Sequence, residues 1–281
     1  MTIALFTVLF FGALGAGALG SALGMAGGIF VVPLLTLVAQ VPFPTAVAVS
    51  LVSVIACSCA SAPHLLSSGL TNLRLAVVLE VATTLGAVIG ILMIGAVPSS
   101  ILYGIFAVVL LVSAVQMIAG RRDQVPDPAL RKSRHRSLDG AFTDHDGSAV
   151  SYRVSHLPLG VTFMFGAGAL SALLGIGSGV LKIPAMDAAM KLPIKASSAT
   201  ANLMISVTAC GTAAAYLMSG TLDLNLSGPV VLGSLAGSIL GAKILVRVAG
   251  ASLRVVFTIV LLALAVPMTA NAFGLSWGAS P

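Results

Sequence analysis

Stretches of about twenty consecutive apolar residues follow one another along nearly the whole chain, with polar residues gathered in short gaps. An α-helix needs a run of that length to cross a hydrocarbon layer roughly 30 Å thick. The alternating ten-residue segments of a membrane β-barrel do not occur in this pattern. The sequence therefore predicts an all-α polytopic membrane protein. Composition agrees: of 281 residues, 58% are hydrophobic and 8% charged, against roughly 25% charged in a soluble domain. The N-terminal MTIALFTVLFFGALG has no basic leader, so it reads as a first membrane segment rather than a cleaved signal peptide.

The longest polar stretch, Gly120–Ser155, holds half of the 14 Lys and Arg: Arg121, Arg122, Arg131, Lys132, Arg134, Arg136 and Arg153. It also holds five of the 8 acids. A net charge of +6 could suggest nucleic acid, but basic residues placed between membrane segments mark the cytoplasmic side. No nucleic-acid partner is expected. The stretch is too short for a soluble domain and reads as a solvated, mobile linker. Cys57, Cys59 and Cys210 lie in apolar runs without metal-ligand company and read as small, packed residues. No metal and no cofactor are expected.

Displaced by 151 residues, the sequence matches itself without a gap: Gly24 meets Gly175, Gly28 meets Gly179, Pro33 meets Pro184, Pro42 meets Pro193, Cys59 meets Cys210, and Gly86 and Gly90 meet Gly237 and Gly241. The chain is read as two copies of one design. A first transmembrane repeat covers 1–119, a polar cytoplasmic linker 120–155, and a second transmembrane repeat 156–281. Each copy contains a broken apolar region and then three spans. In the first copy these are Thr2–Gln40, then Pro44–Ser68, Leu75–Val97 and Ser100–Ala119. In the second they are His156–Met190, then Ala196–Met218, Leu226–Val246 and Leu253–Asn271.

With the linker in the cytoplasm, Arg74, Lys191, Lys195, Arg247 and Arg254 all fall inside, as the charge rule requires. Pro42 then lies outside and its counterpart Pro193 inside, so the repeats are expected to be inverted. Inversion requires each broken region to enter the membrane and return through the same face. The bends fall at Gly24–Gly28 and Gly175–Gly179, and irregular backbone at such depth is tolerated only within protein or around a cavity. Entering from opposite sides, the two bends should meet near the midplane.

Beyond each bend a short helix is expected, over Ile29–Ala39 and Val180–Met190, with Pro33 and Pro184 as structural breaks. A helix start leaves about four N–H groups without intrahelical partners and carries about half a positive charge. Glycine lets a ligand approach that backbone closely. Two such starts on one cavity suit a small anion, which makes Gly24, Gly27, Gly28, Gly175, Gly177, Ser178 and Gly179 substrate-binding candidates. Lys182 lies three residues past Gly179, where the first copy has Val31. It either binds the anion or snorkels to the surface. Ser50, Thr200 and Asn202 either complete the anion's shell or hydrogen-bond between helices. Ser21 flanks the first bend. Glu80 and His64 read as interfacial rather than as proton relays. Asp187 is left between Lys182, Lys191 and solvent. Gly86 with Gly90, and Gly233 with Gly237 and Gly241, read as close-packing faces.

Both copies thus run from a glycine-rich break through a Pro-containing apolar helix, a second Pro, a Ser/Thr-bearing span and a Ser-Gly turn to a Gly-x-x-x-Gly span. In this order the chain resembles the sulfite exporter TauE/SafE family, also called 4-toluene sulfonate uptake permeases. The matching positions are Gly24, Gly27, Gly28 and Pro33, and Gly175, Gly177, Gly179 and Pro184. It departs at Met25-Ala26 and Ser178, where the family commonly shows more glycine, and at Val49-Ser50 and Thr200-Ala201, where it often has Thr-Ser. The resemblance implies transport of small sulfur oxyanions or organosulfonates across a bacterial inner membrane. The expectation is a multi-pass secondary transporter that exports sulfite or carries a sulfonate; the alternative is a carrier or channel for another small anion. No nucleotide motif is present, so ATP drive is not expected, and a coupling proton or ion stays open. No base partner lies near Cys59 or Cys210, which argues against an enzyme. A homodimer stays open.

Overall fold

The computed structural model describes residues 3–93, 96–119, 138–143, 149–175, 177–247 and 250–272. Helix α1 (Ile3–Ala22) ends at the first glycine bend, and α2 (Gly28–Pro33) leaves it and runs on as a π-helical turn over Leu34–Val38. Then follow α3 (Phe43–Ser67), α4 (Leu73–Leu92) and α5 (Ser99–Ala119). A two-stranded hairpin, β1 (Gly140–Thr143) and β2 (Ala149–Tyr152), precedes the second set: α6 (Leu157–Leu174), α7 (Gly179–Pro184) with a π-helical turn at Ala185–Ala189, α8 (Ile194–Met218), α9 (Leu224–Arg247) and α10 (Gly250–Ala272). Among the described residues, α1, α3, α4, α6, α8 and α9 are long and apolar enough to cross a membrane. Their outward faces carry bare side chains such as Phe11, Val81, Leu85 and Val207, which lipid tolerates and water would not.

The two copies agree element by element. The starts of α2, α3, α4 and α5 recur 151 residues later in α7, α8, α9 and α10, and both π-helical turns sit at the same place. The unusual backbone recurs too. Positive φ occurs at Gly24 and Gly175, at Ala26 and Gly177, at Gln40 and Lys191, and at Gly69 and Gly220. A prolyl ring fixes φ without needing an N–H donor, which suits the first turns of α3 and α8 after Pro42 and Pro193.

After the first bend the chain doubles back along α1. A Cβ on Gly27 would stand 2.9 Å from the Ala16 carbonyl oxygen, and one on Gly12 would stand 2.9 Å from the Leu34 methyls. In the second copy Met190 returns to the start of α6, where its carbonyl accepts from Ser155 N at 3.2 Å and its sulfur covers Gly160.

Packing exchanges helices between the copies. Helix α1 packs on α9 and α6 packs on α4, while α3 faces α8 and α5 faces α10. Glycines make the exchange close. Gly233, Gly237 and Gly241 lie against the carbonyls of Phe10, Leu14 and Ala18, and Gly86 and Gly90 against those of Phe165 and Ala169. Without a side chain at these positions the backbones touch, which is how small residues join helices in lipid. The expected close-packing faces are the faces observed. Since α1 and α9 make these contacts in rising order, they run in the same direction, as do α4 and α6.

The linker is partly structured where a solvated, mobile connection is expected. The strands pair antiparallel with Gly140 opposite Tyr152 and Phe142 opposite Val150. Asn72 holds the hairpin down: its Nδ2 donates to the Leu138 carbonyl at 2.8 Å and to the Tyr152 hydroxyl at 3.2 Å, while its Oδ1 caps α4 through Leu75 N. Phe142 and Tyr152 are buried beneath it. Arg121, Arg122, Arg131, Lys132, Arg134 and Arg136 lie outside the described residues.

Candidate functional site at the crossed bends

The first bend begins when Gly24 enters the left-handed region at φ 78°, followed by Ala26 at 53° and Gly27 at 80°. Phe30 and Val31 then donate their N–H groups to the Gly27 carbonyl, which starts α2. The second bend turns at Gly175 and Gly177, at φ 64° and 63°, and Leu181 and Lys182 donate to the Ser178 carbonyl to start α7. Ahead of these donors, a helix offers its first N–H groups no carbonyl of its own.

Each bend lies on the first span of the other copy. Gly24 sits against the backbone of Ser198 in α8, and Gly175 against that of Val47 in α3, 2.9 Å from where its Cβ would be. These two contacts are repeat equivalents. The bends also touch each other: a Cβ on Gly179 would stand 2.9 Å from Met25 Cα and 3.2 Å from the Gly24 carbonyl oxygen. Ser50 fastens them, its hydroxyl reaching the carbonyl of Gly175 at 2.8 Å and that of Gly28 at 3.2 Å. Val54 and Ile205, themselves repeat counterparts, stand over Gly177. Gly24, Gly27, Gly28, Ser50, Gly175, Gly177, Ser178 and Gly179 therefore belong to one buried neighbourhood.

Three buried hydroxyls in or beside it lack a hydrogen-bond partner: Ser21 Oγ, Ser178 Oγ and Ser197 Oγ, the last next to Ser198. Leaving a polar group buried and unpaired costs about 1–3 kcal/mol. A fold that keeps three of them near its bends has hydroxyls to offer a ligand or water.

The other sequence candidates are engaged elsewhere. Thr200 Oγ1 accepts from Asn72 N at 3.0 Å, beneath the hairpin. Asn202 Nδ2 donates to Ser61 Oγ at 2.6 Å, and Ser58 Oγ donates to the Asn202 carbonyl, so this residue joins α8 to α3. For Thr200 and Asn202 the interhelical bonds are the ones observed. Lys182 does not snorkel: it is fully buried, and its Nζ donates to Glu80 Oε2 at 2.9 Å and Thr208 Oγ1 at 3.0 Å. Thr208 in turn donates to Glu80 Oε1. Glu80 is thus corrected from an interfacial residue to a buried one, because α4 turns it toward α7 and α8 rather than toward headgroups. His64 is exposed near the end of α3, in keeping with an interfacial place. Cys59 and Cys210 are corrected as well: they are exposed on the apolar surface, and Cys57 is the cysteine packed inside.

Sequence reasoning misses Ser198, Thr208, Val54 and Ile205. Val54 and Ile205 carry a usable signal, since they align across the repeat and each lies three to four residues past a recognised candidate.

The family model described as sulfite exporter TauE/SafE matches residues 9–268. The "Probable membrane transporter protein YunE" of Bacillus subtilis (strain 168) is 25% identical over 239 residues, covering 82% of this chain and 84% of the relative. The "Probable membrane transporter protein YdhB" of the same organism is 26% identical over 221 residues, covering 79% and 82%. No solved structure matches.

Proposed function

Because the chain belongs to the TauE/SafE sulfite exporter family, a family of membrane transporters, we propose that it is a secondary carrier of a small sulfur-containing anion, with sulfite export or sulfonate transport as its task. The anion is held where the two bends cross. The observation that carries this reading is the Ser50 hydroxyl bonded to Gly28 and Gly175 at once, which ties the start of α2 to the bend that leads into α7, inside the protein. In this reading the partial positive charges of the two helix starts add, and their leading amides are offered to one anion. Ser178, Ser197 and Ser21 supply hydroxyls without other partners. Lys182, one turn past Gly179, supplies a full charge.

The same reading includes inverted repeats, with residues 120–155 on the cytoplasmic side of the inner membrane. Support comes from the doubling back at each bend together with the shared direction of α1 and α9. If each bend returns, α1 and α4 run oppositely within one copy. A counterpart of α4 that runs with α1 is then inverted. Alternating access follows if one interlaced bundle (α1, α2, α3 and α9) rocks against the other (α6, α7, α8 and α4). The moving units are thus not the sequence copies themselves.

The test is reconstitution into liposomes loaded with sulfite, thiosulfate or methanesulfonate. Saturable exchange of labelled anion against internal anion is expected. Flux that never saturates and shows no counterflow would replace the carrier with a channel, and absence of flux with all three anions would overturn the reading.

A further inference from the structure

Lys182, Glu80 and Thr208 form a closed triad at the meeting of α7, α4 and α8, with Lys182 fully buried and Glu80 nearly so. Its most telling property is that it exists once. The repeat counterparts of these three residues are Val31, Val231 and Cys57. Uncharged side chains fill the equivalent place, where Cys57 Sγ donates to the Ser234 carbonyl at 3.2 Å. The architecture therefore does not need a charged pair there. Burying two charges in lipid-spanning protein is costly, and an apolar replacement is often neutral or stabilising. A one-sided pair retained at such cost points to a task in transport rather than in folding.

Charge balance indicates the task. With Glu80 ionised and Lys182 an ammonium, the triad is neutral. An anion arriving alone makes the buried site negative, and a proton arriving alone on Glu80 leaves Lys182 without a counter-charge. Both together restore neutrality: the proton sits on Glu80, which becomes a hydrogen-bond donor, Thr208 turns to accept from it, and the ammonium turns to the anion. We propose that Glu80 and Lys182 form a proton-coupling site, at which a proton taken up by the Glu80 carboxylate releases the Lys182 ammonium to the transported anion. This rests on the anion-carrier reading above, and it makes proton and anion binding mutually favourable, hence co-transported.

Other titratable groups on the packed elements are few. On α4 there is Arg74, about 9 Å back along the helix from Glu80. Helix α6 carries none. The π-helical turn after α7 carries Asp187, α8 carries Lys195, Cys210 and Tyr216, and α5, which packs on α7, carries Tyr103. The Lys182 ammonium donates within the triad, to Glu80 and to Thr208.

The experiment uses the full chain in lipid nanodiscs and methanesulfonate, which stays a monoanion at every pH used. Binding is followed by calorimetry in buffers of different ionisation enthalpy. Wild type should take up close to one proton per anion bound, with affinity falling about tenfold per pH unit wherever that uptake occurs. Glu80→Gln should bind with no proton uptake and no pH dependence, and Lys182→Met should not bind. Proton uptake that persists in Glu80→Gln overturns the proposal, as does complete loss of binding in a Glu80→Gln protein with a wild-type melting temperature. Should that variant fail to fold, infrared difference spectra of wild type decide: methanesulfonate must raise a carboxylic-acid band at constant pH, and no band overturns the proposal. Should neither methanesulfonate nor sulfite bind wild type, the anion reading is what fails. Infrared acid titration of the anion-free protein then tests the proton site by itself, and it is overturned if no carboxyl band titrates.

Discussion

At the scale of single residues, the bends separate positions that look alike in sequence. Gly24 needs its hydrogen twice: its φ is 78°, and Ser198 backbone occupies the space a Cβ would take. Gly177 also has positive φ, but its would-be Cβ meets only methyls of Ile205 and Val54, at 3.1 and 3.2 Å. Gly24→Ala should therefore cost well over 2 kcal/mol, and Gly177→Ala about 1–2 kcal/mol, measured as melting temperature of the purified variants. Ser50→Ala strips two buried carbonyls of their shared donor and should cost about 1–3 kcal/mol; a change under ~0.3 kcal/mol would show that the tie is weak. Glycine at a bend is legible in sequence because no other residue relieves both constraints. The departure at Ala26 is visible in sequence, but its strain is legible only in the fold, where this alanine holds φ 53° at the repeat counterpart of Gly177. The partner of Lys182 is hidden for another reason: Glu80 lies 102 residues away in the other copy, and no local periodicity encodes that contact.

Among elements, the glycine stripes decide which helices join. Gly237→Leu should drive α9 from the Leu14 carbonyl on α1 and abolish a monodisperse folded protein in size-exclusion chromatography. Gly166→Leu and Gly211→Leu have open space at the would-be Cβ and should elute as wild type. The spacing of four shows a stripe in sequence, but not its mate: that α9 takes α1 rather than its chain neighbours follows only from the exchange between copies. The hairpin is likewise missed: its strands are four residues long, and the alternation Val150-Ser151-Tyr152-Arg153-Val154, which does match the burial, is too short to stand out beside the membrane segments. Burial and Asp139 push the Tyr152 hydroxyl above its usual value of 10.0, against the opposing Asn72 bond. A raised folded value means that the neutral phenol is favoured in the docked state. Docking is thus fully supported below about pH 10 and lost as pH rises through the folded value. Limited proteolysis between β1 and β2 should accelerate there in wild type, and Tyr152→Phe should remove that pH dependence.

For the whole molecule, the helical membrane class and the order of the apolar segments are readable from hydropathy alone, and the repeat from one constant displacement. The interlacing is not, because self-matching identifies equivalent segments without saying which ones touch. Cysteines placed at Pro42 and Pro193, in a background lacking Cys57, Cys59 and Cys210, should react with impermeant reagent from opposite faces of the membrane; labelling from one face would remove the inverted arrangement. The exchange of α1 for α9 also bears on how the chain is made. During synthesis the first helix has no mate until some two hundred further residues have emerged, so it must wait in the bilayer with its small-residue face uncovered. The amino-terminal half produced alone should then be short-lived. Cut within residues 120–137 and made as two pieces in one cell, the halves should find each other and assemble, because what joins them is this handshake of helices and not the peptide between.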